Sequence, residues 1–435
     1  MINFKLKFFV NCFLILGFIS FIFSFYLSII EVPWGDILVN STDYLILPNS
    51  EFIFQTYANH ILIVPHLLDY ISLYIFNGSL KFLAFIFLGC YLINFIIMKN
   101  IIFKKQTKST YWVLAILFIL FFTNYRLNNL SNAVNGSHYL VGFFSFLSIY
   151  FYSFVGGPKL KERIINLTAC SIFLILACLT FSNGFLLFIV IPFLYIIKNY
   201  PNVFSSKKLF FLFLVSSFCL IILIILFFNK FDLLMISNLF INVLGLPFTA
   251  ILGVTFFGKI ISYLTLLILF VYLKEFFSLK KYNSEIIFSM GIILYGFFSI
   301  LLVAIFRYDE YQNLDWHGHR YSIFNLYIYV GLVLFFKQKF DLLHFSSTSI
   351  KKFKFLFLSI VIVWFIANIF GGKYIINRKM VFDSVATEVI SGNVSNKDIF
   401  YSINFYPSID EAVEKYQLLM DNNLYNLDKY KNNTY

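Results

Sequence analysis

The chain is 435 residues long, and its composition excludes a set of soluble domains. Hydrophobic residues make up 60% of it and charged residues only 12%, and phenylalanine alone occurs 61 times. Soluble domains have about 45–50% apolar and about 25% charged residues, so too few charges are present to cover a soluble fold of this size. Its high hydrophobicity also excludes a disordered chain, and its low glycine and proline content excludes collagen. We therefore predict a polytopic membrane protein.

The net charge of +12 reflects membrane topology. Lysine and arginine collect in the cytoplasmic loops of membrane proteins, and here they are concentrated in alternate loops. We therefore expect no nucleic-acid partner. The five cysteines are scattered through apolar runs without CxxC spacing, which indicates buried small hydrophobic residues rather than disulfides or a metal site.

Apolar runs long enough to cross a bilayer recur along the chain. A hydrocarbon core of about 30 Å needs about 17–25 apolar residues in a helix, and the sequence predicts about 11 transmembrane helices. They lie near 8–30, 79–98, 110–124, 138–154, 166–182, 184–198, 209–229, 259–277, 286–306, 322–336 and 354–370. The first run exceeds the apolar core of a signal peptide, about 7–15 residues, and is predicted to stay uncleaved. The stretch 233–254 contains Asn, Gly and Pro and is predicted to form interfacial helices.

Loops rich in lysine and arginine alternate with loops that are poor in both. The segment 31–78 has neither residue but carries five carboxylates. This alternation predicts a cytoplasmic N-terminus, and 11 spans then place the C-terminal segment outside. We predict an all-α transmembrane domain over 1–370, with 31–78 as its first outer loop, and a small outer segment of helix and short strand over 371–435. Within that segment, Ser408 is predicted to open a helix that runs to about Asn422.

Two carboxylates in the first outer loop are candidate catalytic bases. Asp36 follows Trp34 and Gly35 on a segment with no basic neighbour, and Asp43 comes seven residues later. A carboxylate at a membrane surface can take a proton from a substrate hydroxyl. The alternative is a solvated loop residue, and the sequence does not choose between the two carboxylates.

The same loop contains a predicted interfacial helix. Pro65 suits its first turn, and His66, Asp69 and Tyr70 fall on one face while apolar residues fill the others. Such an amphipathic helix lies on the outer leaflet. His60 and His66 are candidates for binding an anionic group such as phosphate, and the alternative is a solvated polar face. The spacing offers no third ligand for zinc.

A third polar cluster lies between the spans 286–306 and 322–336. Its candidate anion-binding residues are Arg307, His319, Arg320 and Tyr321. A charge at the membrane edge is costly and often functional, and the planar donor fork of arginine suits phosphate oxygens. The alternative is a structural ion network of these arginines with Asp309 and Glu310. Arg126 is a further candidate near a span, although snorkelling to the interface explains it equally well.

Short motifs along the chain follow an order known from one family. They are Asn59-His60-Ile61, Pro65-His66-Leu67-Leu68, Asn128-Asn129, Asn183-Gly184-Phe185-Leu186-Leu187, Leu244-Gly245-Leu246-Pro247, Arg307 followed by His319-Arg320-Tyr321, and Tyr406-Pro407. From about 31 to 425 the chain resembles bacterial multi-span sugar transferases of the GT-C type, in particular the O-antigen-modifying glucosyltransferase-like group. It departs from that pattern at Asn59, which replaces an acid, at Ile61, which replaces an arginine, and at His66, which replaces a basic residue.

This resemblance implies a reaction. Such enzymes move a sugar from a polyprenyl-phosphate donor to a cell-surface glycan such as O-antigen, at the outer face of the bacterial inner membrane and usually with inversion. Asp36, or failing that Asp43, would deprotonate the acceptor hydroxyl. The donor phosphate would be bound by some or all of His60, His66, Arg126, Arg307, His319, Arg320 and Tyr321. The implied partners are the lipid-linked donor, the glycan acceptor and the bilayer.

Other classes of membrane protein fit parts of this pattern. A polysaccharide polymerase or ligase uses the same kind of donor, but usually concentrates its site in one large late loop, and 307–321 is short. A non-enzymatic flippase or transporter of lipid-linked sugars, or a structural scaffold, needs no catalytic base. No cofactor is expected. A divalent metal at Asp36, Asp43 and Glu310 stays open, because hard cations need more converging oxygens than the sequence places together.

Overall fold

The computed structural model describes residues 2–57, 60–104, 110–131, 136–154, 159–199, 233–252, 255–279, 282–307, 321–342, 347–395, 397–402, 406–427 and 430. Within these residues the fold is helical apart from one short hairpin. In the described part of the chain, five helices are long and apolar enough to cross a membrane, namely Val10–Ser28, Leu80–Phe103, Ser182–Asn199, Phe256–Phe277 and Ser284–Arg307. The protein is therefore a helical membrane-embedded protein, as its composition predicts.

The N-terminal half alternates long apolar helices with short polar elements. It consists of α1 (Ile2–Ser28), α2 (Asp36–Ile46), α3 (Asn49–Phe54), β1 (Thr56–Tyr57), β2 (His60–Ile61), α4 (Ile63–Phe76), α5 (Leu80–Phe103), α6 (Thr110–Phe121), α7 (Asn124–Leu130), α8 (Gly136–Ser153), α9 (Leu160–Cys178), a 3-10 helix (Ser182–Leu186) and α10 (Leu187–Asn199). The predicted helix with Pro65 in its first turn is confirmed as α4. The apolar runs 166–182 and 184–198 lie in separate helices, α9 and α10, with the 3-10 helix between them.

The C-terminal half contains longer helices. It consists of α11 (Leu233–Leu252), α12 (Thr255–Phe277), α13 (Ser284–Arg307), α14 (Ser322–Leu342), α15 (Ser347–Ile390), α16 (Lys397–Ser402) and α17 (Ile409–Asp421). The predicted span 209–229 lies outside the described residues. The stretch 233–254, predicted to form interfacial helices, contains the single helix α11.

Small residues let α13 and α14 pack closely. A side chain on Gly296 would collide with the backbone oxygen of Phe324, and Ser289 Oγ donates to the backbone oxygen of Gly331 at 2.7 Å. Inside a bilayer, helices gain little from hydrophobic association, so close approach and interhelical hydrogen bonds hold them together. This packing fixes the end of α13, at Arg307, and the start of α14 relative to each other.

The C-terminal segment does not begin where the last apolar run ends. Helix α15 continues without interruption from Ser347 to Ile390, so the predicted boundary between 370 and 371 falls inside a helix. The predicted helix after Ser408 is confirmed as α17, and the Ser408 hydroxyl caps it by accepting the Glu411 N–H at 3.4 Å. Among the described residues of 371–435 none lies in a strand, in contrast to the short strand predicted there.

One group of elements joins the first outer loop to the C-terminal helices. We call it the cap and define it as α2, residues 371–390 of α15, and residues 406–427. Its parts are joined by a hydrogen bond from the Tyr416 hydroxyl to the backbone oxygen of Pro33 and by one of 3.0 Å from Lys415 Nζ to Thr42 Oγ1. The cap therefore fastens the first loop to the C-terminal helices.

Candidate functional site: a histidine–arginine cluster

His60 lies on a hairpin that is fixed to the interruption between α9 and α10. It stands opposite Tyr57 in the antiparallel pair β1–β2. Just beyond the hairpin, the Val64 N–H donates to the backbone oxygen of Leu179 at 3.0 Å. This backbone bond places the hairpin beside the 3-10 helix that begins at Ser182.

Among the described contacts of the His60 side chain are those with Phe181, Ser182 and Arg307. The His60 ring stacks on that of Phe181 with the centroids 4.2 Å apart. Its Nδ1 lies 2.6 Å from Ser182 Oγ, and its Nε2 lies 3.4 Å from Arg307 Nη2. A guanidinium can only donate, so Nε2 is the acceptor, and we assign the imidazole hydrogen to Nδ1, which donates it to Ser182 Oγ. The sequence singled out His60 and Arg307 separately, and the structure brings them into contact.

His138 extends this group of residues. It is buried in the first turn of α8, its ring lies 4.7 Å from that of Phe181, and it stacks on Tyr321 at 5.1 Å. We call the whole group the hairpin cluster, comprising His60, His138, Phe181, Ser182, Arg307 and Tyr321. Sequence reasoning missed His138 because it stands at the start of an apolar run. A histidine at the first position of a predicted span is the signal that could have found it, because such positions lie at the membrane edge.

A buried amide borders the hairpin cluster. Asn183 follows Ser182 in the 3-10 helix and is 6% exposed, yet its Nδ2 has no hydrogen-bond acceptor among the described residues. The next residue, Gly184, packs so closely on α9 that a side chain there would collide with the backbone oxygen of Ala177. Leaving a buried donor without an acceptor costs about 1–3 kcal/mol, so this amide is a candidate donor to a bound group.

Arg126 holds the backbone next to the hairpin cluster. It is 1% exposed, and its Nε and Nη1 donate to the backbone oxygens of Leu120 at 2.8 Å and Ser322 at 2.5 Å. Ser322 directly follows Tyr321, so Arg126 ties the end of α6 to the start of α14. Its predicted contact with phosphate stays a prediction. His319 and Arg320, the other two candidates beside Tyr321, lie outside the described residues.

The two candidate bases lie in the cap. Asp36 is the first residue of α2, and Asp43 follows about two helical turns later on the same side. Burial raises the pKa of the Asp43 carboxyl, while Lys415 on α17 and a hydrogen bond with Gln55 oppose the rise. Gln55 immediately precedes β1, so Asp43 contacts the base of the hairpin that carries His60.

The predicted polar face of α4 is divided in the structure. His66 is 0% exposed and packs on Phe52 of α3, with ring centroids 5.6 Å apart, and burial lowers its pKa. The alternative reading of His66 as part of a solvated polar face is therefore wrong, because α3 covers it. Asp69 accepts a hydrogen bond from Asn40 Nδ2 at 3.1 Å, and burial raises its pKa to about 7. Asp69 thus joins α4 to α2.

Comparison with known proteins does not identify a family, so the class of this protein is argued from its fold and from the hairpin cluster. No protein-family model matches the chain, and no curated protein or solved structure matches it. Within the described part of the chain, no three His, Cys, Asp or Glu side chains are grouped so that they could hold a metal ion. The structure thus defines a helical membrane-embedded protein with a histidine–arginine cluster where helix α13 ends.

Proposed function

We propose that the protein is a membrane glycosyltransferase that moves a sugar from a polyprenyl-phosphate donor to a cell-surface glycan. The observation that carries this proposal is the contact of His60 with Arg307 and Ser182. These residues come from three distant parts of the sequence and meet where the apolar helix α13 ends. The lipid chain of such a donor stays in the bilayer while its phosphate lies at the bilayer edge, so cationic groups are needed there.

The proposal includes the membrane arrangement. About 11 spans with a cytoplasmic N-terminus put the end of α13 and the cap on the outer face of the bacterial inner membrane. The positive-inside distribution of lysine and arginine supports this orientation, and the five long apolar helices support a multi-span protein.

The hairpin cluster can bind a phosphate by exchanging one internal hydrogen bond. In the structure His60 Nε2 accepts from Arg307, and Ser182 receives the hydrogen of Nδ1. A phosphate beside them favours the imidazolium form, in which Nε2 donates to the anion while Arg307 donates beside it. Asn183 Nδ2 adds a donor from the neighbouring turn. Donors placed in advance around a leaving phosphate stabilise the charge that develops on it.

The carboxylate in the cap supplies the base. Asp43 takes the proton of the acceptor hydroxyl, whose oxygen then attacks the anomeric carbon of the donor sugar. The bond from that carbon to the phosphate oxygen breaks, and polyprenyl phosphate leaves with the bonding electrons. Because burial raises the pKa of Asp43, its carboxylate is a stronger base than a solvated one. Asp36 is the second candidate for this role.

The test is to measure the sugar composition and chain length of the surface polysaccharide from cells that lack the gene. We expect the loss of one sugar with chain length unchanged, and restoration by the wild-type gene but not by Arg307→Ala. Arg163→Ala is the matched control, because Arg163 is an exposed arginine in the first turn of α9. Chains shortened to single repeats would identify a polymerase instead, and donor held on the cytoplasmic leaflet would identify a flippase.

A further inference from the structure

A cavity lies between the α4–α5 turn and the turn that follows α17. Its volume is about 550 Å³, within the range of about 300–1,000 Å³ typical of small-molecule sites. The lining residues that bear on its chemistry are Glu31, Phe76, Asn77, Lys81, Asn423 and Asn426. None of these residues belongs to the hairpin cluster.

The backbone around this cavity is held in an uncommon conformation. Asn77, Asn423, Tyr425 and Asn426 have φ values of 50°, 56°, 63° and 51°, and among the described residues they are the only ones other than glycine with positive φ. All four line the cavity. Asparagine adopts this conformation readily, and Asn77 is the left-handed C-cap of α4, so the strain is concentrated at Tyr425, and backbone strain is often found at ligand sites. A tyrosine in this region is especially uncommon.

Contacts between the two turns keep this wall in place. The Tyr425 N–H donates to the backbone oxygen of Asn77 at 2.7 Å, and the Tyr425 hydroxyl bonds to the hydroxyl of Ser41. The Tyr425 ring covers Gly78 so closely that a side chain there would lie 2.9 Å from it. The side chains of Asn423 and Asn426 are exposed, so two amides stand at the edge of a fixed wall.

The lining matches a neutral, hydroxyl-rich ligand. Lys81 Nζ and Glu31 Oε1 are 2.8 Å apart, so their charges balance and the cavity does not favour an anion. Planar amides and a carboxylate can bond to neighbouring hydroxyls of one sugar ring. One face of the Phe76 ring stacks on Phe82 with the centroids 4.2 Å apart. The ring is still 45% exposed, so its other face can pack against the C–H side of the sugar ring.

We propose that this cavity binds a neutral saccharide unit. Naming that saccharide as the acceptor glycan rests on the proposed function, whereas saccharide binding itself does not. The acceptor would then be held at the cap, which also contains the two candidate bases.

The test uses the full-length protein in detergent micelles. Oligosaccharides released by mild acid from the surface polysaccharide of the producing cell are titrated in saturation-transfer NMR. The test variant is Asn423→Gly with Asn426→Gly, because glycine suits the left-handed backbone and the variant keeps its fold. Losing two hydrogen bonds predicts about 30-fold weaker binding. The control is Asn422→Ala, an exposed neighbour outside the lining, which should bind like wild type.

Three results would overturn the proposal: no saturation transfer to any saccharide, unchanged binding by the double glycine variant, or displacement of the saccharide by inorganic phosphate. A different result would contradict the proposed function without affecting the saccharide site. If Arg307→Ala retains both saccharide binding and sugar transfer, the saccharide site stands while the catalytic assignment is wrong.

Discussion

The hairpin cluster and the cap both join distant parts of the chain through polar side chains, but they differ in the chemistry of the groups that meet. In the hairpin cluster, His60 contacts the side chains of Ser182 and Arg307. In the cap, Tyr416 donates to the backbone oxygen of Pro33. The Lys415 ammonium also bonds to the hydroxyl of Thr42 there, so the cap joins its parts through both backbone and side-chain acceptors. In the hairpin cluster an imidazole and a guanidinium lie side by side, and two such groups can exchange their mutual bond for an anionic ligand. The chemistry of the groups that meet therefore distinguishes the two regions.

The most severe test of this comparison is Arg307→Ala. We expect sugar transfer to fall about 10²–10³-fold, the size of effect seen when a donor to a developing negative charge is removed. The unfolding temperature should stay close to that of wild type, because Arg307 is partly exposed at the end of α13. Incorporation of the sugar into surface polysaccharide and thermal unfolding in detergent measure the two effects. Unchanged transfer would remove the hairpin cluster from the mechanism.

Arg126→Ala should have the opposite profile. It leaves the backbone oxygens of Leu120 and Ser322 without their donor, and each bond from a charged group contributes about 1.5–3 kcal/mol. We expect a destabilisation of about 3 kcal/mol, seen as a lower yield and a lower unfolding temperature in detergent. The folded fraction should still bind polyprenyl phosphate. A stable variant that has lost donor binding would instead make Arg126 a phosphate ligand.

The pH dependence of stability tests the link that Asp69 makes between α4 and the cap. The pKa of Asp69 is raised from 3.8 to about 7, so between about pH 4 and 7 the folded protein holds a proton that the unfolded chain has released. Stability should therefore fall as pH rises through this window, and the raised pKa of Asp43 acts in the same direction. Asp69→Asn should flatten the curve of unfolding temperature against pH. An equally steep curve in the variant would assign the pH dependence to other groups.

Tyr416→Phe should have the smallest effect. It removes the hydroxyl that donates to Pro33 and keeps the buried ring. A single neutral hydrogen bond contributes about 0.5–1.5 kcal/mol, so the unfolding temperature should drop slightly while sugar transfer stays near that of wild type. A large loss of transfer at normal stability would mean that the cap acts in catalysis through this contact.

The sequence predicted the helix starts and helix breaks that depend on a few neighbouring residues. Pro65 marks the first turn of α4, Ser408 caps α17, and the apolar runs 166–182 and 184–198 lie in separate helices. The boundary at 370 was misplaced because a fall in hydropathy marks where a helix leaves an apolar environment, not where the helix ends. Helix α15 continues beyond residue 370 into polar sequence.

The features that the sequence could not predict depend on contacts between distant residues. His66 is buried because Phe52 of another helix covers it. His138 gains a polar neighbourhood only because the hairpin and α14 meet beside it. His60 and Arg307 were both candidates, but no periodicity or spacing states that two residues so far apart in the chain share a hydrogen bond.

The central claim is that the hairpin cluster binds the phosphate of a lipid-linked donor. The most direct measurement is native mass spectrometry of the purified full-length protein with undecaprenyl phosphate, comparing wild type, His60→Ala, Arg307→Ala and the control Arg163→Ala. We predict a bound lipid in wild type and in the control, and its loss in the two cluster variants. Equal occupancy in all four proteins would contradict the account.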